Sequence, residues 1–233
     1  MNAIITGATK GIGRSIAEKF AGENYNICLC ARNEDELKET ADVLWHINPK
    51  IEVHYQACDV SQQQELEAFA DFCLSSFSQI DLLINNAGFF VPGTIAEEEE
   101  GMLDKMMQTN VYSAYHLSRK IIPQLRKQKS GLIVNISSVA GLQAYPQGGS
   151  YSISKFALTG FSKNLRNELK DDGIKVSTIY PGATYSDSWK ESKVDEHRIM
   201  EANDIAEVVL SLTKLSPKAV AEDIVLRPML GDL

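Results

Sequence analysis

Along this chain, short apolar runs alternate with longer stretches in which apolar residues recur every three or four positions. The short runs predict strands at residues 2–6, 25–30, 51–57, 80–85, 132–136, 174–180 and 224–226. The longer stretches predict helices at 11–22, 34–47, 61–77, 102–128, 150–170 and 203–215. Local punctuation supports these limits. Asn33 stands as an N-cap, with Glu34, Asp35 and Glu36 in the first turn, where negative charge meets the helix dipole. Pro49 stops that helix. Ser61 reads as the cap of the third helix, and Pro123 as a bend in the helix over 102–128. Strict alternation of strand and helix predicts an α/β fold. The expected core is one doubly wound parallel sheet with helices on both faces and right-handed crossovers.

No repeat, linker or low-complexity segment interrupts the pattern, so residues 1–233 are expected to form one Rossmann-type domain. The irregular polar stretch 181–200 follows a strand, at the end of the sheet where such folds bind ligands. No apolar run approaches the ~20 residues that span a bilayer. The first seven residues enter a strand and a glycine turn rather than a signal peptide. A cytoplasmic protein without a membrane partner is the expectation. A net charge of −8 and the lack of any Lys/Arg block argue against nucleic acid. The run Glu97-Glu98-Glu99-Glu100 reads as a solvated loop and first helical turn. Cys28, Cys30, Cys58 and Cys73 form no C-x-x-C pair and have no histidine at metal spacing. They read as small buried hydrophobes, and no metal is expected.

Candidate chemistry lies in two places. Tyr151 and Lys155 are four apart and share one face of the predicted helix. An ammonium beside a phenol favours the phenolate and lowers the Tyr pKa from ~10. Such a phenol can give a proton to a carbonyl oxygen while hydride arrives at carbon. Ser138, upstream of Tyr151, would hydrogen-bond the same oxygen. The other place is the turn Thr6-Gly7-Ala8-Thr9-Lys10-Gly11-Ile12-Gly13, after the first strand. Gly7 allows the tight turn, and Gly11 and Gly13 let the backbone approach a pyrophosphate at the helix N-terminus. The second strand ends Cys30-Ala31-Arg32. An acid there would hold adenosine ribose hydroxyls. Arg32 instead suits a ribose 2′-phosphate, with Lys10 at hand; two cations and no acid favour NADP(H).

Together, Thr6-Gly7-x-x-x-Gly11-x-Gly13, Asp59-Val60, Asn85-Asn86-Ala87-Gly88, Asn110, Ser138, Tyr151-x-x-x-Lys155 and Pro181-Gly182 resemble the short-chain dehydrogenase/reductase family. The resemblance covers essentially the whole chain. It implies Tyr151 as the general acid in reduction, Ser138 orienting the carbonyl, and Lys155 holding the nicotinamide ribose. It also implies an Asn110-held water that relays protons to Lys155. On the cofactor it places Gly7, Thr9, Lys10, Gly11, Ile12, Gly13, Arg32, Pro181 and Gly182. Asp59 would bond the adenine amino group with Val60 packed nearby, and Asn86, Ala87 and Gly88 would line the adenosine ribose. Asn85 would support the central strands. Spacing within the family pattern selects Ser138 over Ser137. After Pro181-Gly182 this chain departs from the usual hydrophobic-threonine pair: Ser186 keeps a hydroxyl at the place that holds the nicotinamide amide, and Thr184 is its rival.

Residues 181–189 and 226–233 resemble bacterial sepiapterin-reductase-type members. Trp189 is then either a stacking face for a planar substrate or an anchor of the lid. The resemblance implies a carbonyl reductase or alcohol dehydrogenase using NADP(H). The alternatives are a 3-oxoacyl-[acyl-carrier-protein] reductase-like enzyme and a non-catalytic NADP-sensing protein. A homotetramer or homodimer, joined through the helices at 102–128 and 150–170, is also implied.

Overall fold

The computed structural model describes residues 1–185 and 194–232. Ser186 and Trp189 therefore lie outside the described residues. Seven strands form one sheet: β1 (Asn2–Thr6), β2 (Asn26–Ala31), β3 (Val53–Ala57), β4 (Leu82–Asn85), β5 (Gly131–Ile136), β6 (Ile174–Pro181) and β7 (Asp223–Leu226). Their order is β3-β2-β1-β4-β5-β6-β7, and every pairing is parallel. Successive strand residues feed opposite faces. Ala3 and Ile5 of β1 join a core with α1 (Gly11–Gly22), α2 (Glu34–Ile47) and α7 (Ala202–Thr213). Ile4 faces the other core, built with α3 (Gln63–Ser76), α5 (Ser113–Gln128) and α6 (Gly149–Leu169). Cys28, Cys30, Cys58 and Cys73 are all free and buried in that second core, as small hydrophobes would be.

The chain reverses its winding direction between β1 and β4. The turn after β1 and the segment after β4 therefore flank one crevice at the carboxyl ends of the strands, the place where open α/β sheets accept ligands. α2 starts as expected: the Asn33 side chain accepts from the Glu36 amide at 3.2 Å. Two local expectations change. Ser61 does not cap α3, which begins after Gln62. Its hydroxyl and amide instead donate to Asp59 Oδ1, at 2.8 and 3.0 Å. The helix expected over 102–128 is interrupted: α4 (Met102–Met107) passes through a π-helical turn, Gln108–Tyr112, into α5. The wide turn carries Asn110, and α5 then continues through Pro123. No described helix is long and apolar enough to cross a membrane.

Candidate active site

The catalytic candidates converge from four elements. β5 ends beneath Ser138, which has extended backbone and opens the short turn Val139–Gly141; its hydroxyl accepts from the Ala140 amide at 3.1 Å. α6 carries Tyr151 and Lys155 on one face. The π turn supplies Asn110, and the segment after β4 supplies Gly88. Lys155 is buried, and its Nζ donates to the Ile136 carbonyl at 3.0 Å while lying 5.7 Å from the Tyr151 ring centroid. A side chain at Gly88 would put a Cβ 3.1 Å from Asn110 Oδ1 and 3.7 Å from Lys155 Nζ, so glycine keeps this corner open. Ser137 points the other way, its hydroxyl 3.4 Å from both the Lys155 carbonyl and Thr159 Oγ1. The hydroxyl in place for the Tyr151 phenol is that of Ser138.

The electrostatics reverse one expectation. Burial pushes the Tyr151 phenol up to about 12, against a smaller downward pull from the Ser138 hydroxyl. Burial also lowers the Lys155 ammonium to about 8. The net shift of Tyr151 is upward where a lowering by Lys155 was expected, because desolvation of the phenol dominates and the ammonium donates to a main-chain carbonyl. The Asn110 side chain is likewise committed. Its Oδ1 accepts from the Phe89 amide at 2.9 Å, and its Nδ2 donates to the Phe89 carbonyl and Ser154 Oγ at 3.1 and 3.0 Å. It clamps the segment after β4 onto the catalytic helix.

The glycine turn is built, with different labour among its residues. Gly7 has φ +64°, and its amide and that of Ala8 donate to the Cys30 carbonyl at 2.9 and 3.3 Å. Gly11 also has positive φ, +52°. Gly13 serves packing rather than ligand approach: a Cβ there would sit 2.2 Å from the Gly7 carbonyl oxygen and 2.4 Å from Asn86 Nδ2. Gly13→Ala is expected to cost roughly 2–3 kcal/mol by overpacking, seen as a Tm lower by about 4–12 °C in thermal unfolding. An unchanged Tm would show that α1 can shift away at no cost.

Asn86 also departs from its expected place on the ribose. Its Nδ2 donates to the carbonyls of Thr6 and Gly7 at 2.9 and 3.0 Å, while Thr6 Oγ1 accepts from the amides of Asn86 and Ala87. The side chain thus holds the turn in shape. Asn85 does brace the central strands, donating to Asn135 Oδ1 at 2.8 Å and Ser118 Oγ at 3.1 Å. Val60 is buried in the second core, whereas Asp59 is half exposed at the crevice end of β3. Ile12 packs on the first core. At the sheet's far side the Gly182 amide donates to the Leu226 carbonyl at 2.7 Å, just beyond Pro181 at the end of β6. The Thr184 hydroxyl turns back to the Gly182 carbonyl at 3.0 Å.

β2 ends without an acid, as expected, but one of the two cations is shared with Glu36 of α2. Its carboxylate pairs with Lys10 at 2.8 Å and accepts from Thr9 Oγ1 at 3.2 Å. Sequence reading took Glu36 only as first-turn charge on α2; its approach to the glycine turn needed the fold. Arg32 is exposed and forms no ion pair among the described residues. Two further residues went unnoticed. Ser154 bonds both Asn110 and the Tyr151 carbonyl, and Phe90 packs edge-on against Tyr151 with ring centroids 4.8 Å apart.

This geometry has counterparts. Residues 1–197 match the family model described as short chain dehydrogenase. A diacetyl reductase [(S)-acetoin forming] of Staphylococcus epidermidis is 35% identical over 91% of this chain and 84% of its own length. An alcohol dehydrogenase of the archaeon Thermococcus sibiricus, solved with 5-hydroxy-NADP, superposes with a TM-score of 0.91 at 27% identity, over 100% of this chain and 98% of that one. The L-sorbose reductase of Gluconobacter frateurii, solved with NADPH and L-sorbose, gives 0.89 at 29% identity, over 97% and 94%. With Ser138, Tyr151 and Lys155 gathered beside a glycine turn on a doubly wound sheet, the chain belongs to the short-chain dehydrogenase family.

Proposed function

We propose that this protein is an NADPH-dependent reductase of small ketones, with 1,2-dicarbonyl compounds as the preferred class. The single observation that carries the reading is the meeting of Ser138, Tyr151 and Lys155 at the crevice beside the Gly7 turn. The left-handed turn at Gly7, the open corner at Gly88 and the exposed cation of Arg32, which forms no ion pair among the described residues, fit a phosphorylated dinucleotide. NADPH, when bound, supplies the hydride. The protein's share is protonic: Ser138 and Tyr151 present hydroxyls to a carbonyl oxygen, and Tyr151 gives up its proton as negative charge develops there. Lys155, charged below about pH 8, favours the phenolate that remains.

The diacetyl reductase relative supports the dicarbonyl class, and the tail's likeness to sepiapterin-reductase-type proteins points to a similar side-chain ketone. Assembly through α5 and α6 belongs to the same reading, since Tyr115, Ile153 and Phe156 leave large apolar surface there. NADPH oxidation against a panel of diones, hydroxyketones and 3-oxoacyl thioesters tests the class. Preference for the thioesters would replace it with acyl reduction.

Cofactor choice should rest on Arg32 more than Lys10, whose charge Glu36 already meets. Arg32→Ala is expected to raise the KM for NADPH roughly ten- to a hundredfold and to leave that for NADH within a few-fold. Lys10→Ala should cost less. If Arg32→Ala harms NADH and NADPH alike, Arg32 does not read the 2′-phosphate.

A further inference from the structure

The segment between β4 and α4 is fastened at three points: to Asn110 in the π turn, to the loop just before α6, and to the first turn of α6 itself. Phe89 is clamped through main-chain N–H and C=O by Asn110. The Gly93 amide donates to the Gln147 carbonyl at 3.1 Å. Glu98, within the acidic run expected to be solvated, instead turns inward. Its Oε2 accepts from the Ser150 amide at 3.2 Å, and its Oε1 accepts from the Ser150 hydroxyl. Ser150 lies in the first turn of α6, whose amides lack partners within the helix and whose dipole favours a carboxylate. The approach is close. A Cβ at Gly149 would stand 2.5 Å from the Gly93 carbonyl oxygen and 2.8 Å from Glu98 Oε2, and Gly149 itself has φ +36°.

Between the first two fastenings sits Phe90, edge-on to Tyr151 at 4.8 Å and still over a third exposed. The residue after Ser150 is Tyr151 itself. The geometry points to Phe90 as a specificity-determining wall of the ketone site and to Glu98 as the positioning residue that holds it there. A ketone accepting the Tyr151 proton must fit beside that ring. The wall is set in advance by fixed hydrogen bonds, so it limits the bulk of the group flanking the carbonyl. Release of the carboxylate frees the segment and widens the site. This inference rests on the reductase reading, because it names a substrate wall.

Two diones of different bulk provide the test, butane-2,3-dione and 1-phenylpropane-1,2-dione, with NADPH oxidation as readout. The quantity followed is the ratio of kcat/KM for the bulky dione over the small one. Phe90→Ala is expected to raise that ratio about tenfold, the scale of one or two methylene-sized contacts. Glu98→Ala should raise it in the same direction, and Glu98→Gln, which keeps an acceptor, by less. In the Phe90→Ala background Glu98→Ala should change the ratio no further, since Glu98 acts through the ring. A merely structural role for Glu98 predicts an equal loss for both diones in both backgrounds, and that result would overturn the proposal. So would an unchanged ratio in Phe90→Ala. Hydrogen exchange gives a readout independent of turnover: the Ser150 amide should be protected in the parent and in Glu98→Gln but exchange fast in Glu98→Ala. If the parent reduces neither dione, the reductase reading fails and this inference with it. If the parent is active and the double variant is additive, only the inference fails.

Discussion

Tyr151→Phe is expected to lower kcat/KM for ketone reduction by roughly 10²–10⁴-fold, the usual worth of a positioned proton donor. The substitution removes one hydroxyl and almost no volume, so the edge-on contact with Phe90 survives. NADPH affinity, followed by fluorescence titration, should stay within a few-fold. The pH dependence has a definite form. Tyr151, raised to about 12, stays protonated through the neutral range and cannot produce a limb there. Lys155, lowered to about 8, loses its proton as pH rises through that value. Reduction should therefore fall above about pH 8 as the ammonium that stabilises the phenolate left by the departing proton is neutralised. A profile that is flat from pH 7 to about 10 would separate Lys155 from the proton transfer, and residual activity within a factor of a few in Tyr151→Phe would remove Tyr151 from its role.

Lys155→Met should abolish reduction yet stabilise the fold at neutral pH. The folded-state pKa is about 8 against an ordinary value of 10.5. The folded protein thus binds fewer protons than the unfolded chain between those two values. Below pH 8 the buried ammonium carries its full penalty, about 3 kcal/mol at 1.36 kcal/mol per unit. The penalty is relieved as pH rises from 8 towards 10.5. Methionine keeps the length of the chain and forgoes the bond to the Ile136 carbonyl, a loss of about 1 kcal/mol. The net expectation is about 2 kcal/mol greater stability at pH 7, vanishing near pH 10, measured by urea unfolding at both values. A variant less stable than its parent at pH 7 would show that the ammonium is well solvated in the folded state. The trade is a familiar one for buried catalytic charge: function retains a group that packing alone would exclude.

Much of the molecule was legible from its residues. Short apolar runs and period-3.6 apolar patterns located all seven strands and most helices, because burial of a strand on both sheet faces, or of one helix stripe, leaves a local imprint. Ser138, Tyr151 and Lys155 were equally plain, since two of them share a helix face and the third ends a strand. Boundaries failed where a side chain had a better partner than its own helix. Ser61 turned to Asp59, and Asn110 reached Phe89 and Ser154 across a π turn.

The residues by themselves determined the alternating α/β architecture and the glycine turn, and marked Ser138, Tyr151 and Lys155 as the group that meets at one end of the sheet. Tertiary structure alone decided which charges meet. Glu36 reaches Lys10 from the next helix, Glu98 reaches Ser150 across 52 positions, and the Lys155 ammonium donates a hydrogen bond to the Ile136 carbonyl. Hydrogen bonds and pKa values depend on distance and desolvation in three dimensions, and sequence separation constrains neither once the chain has folded back on itself.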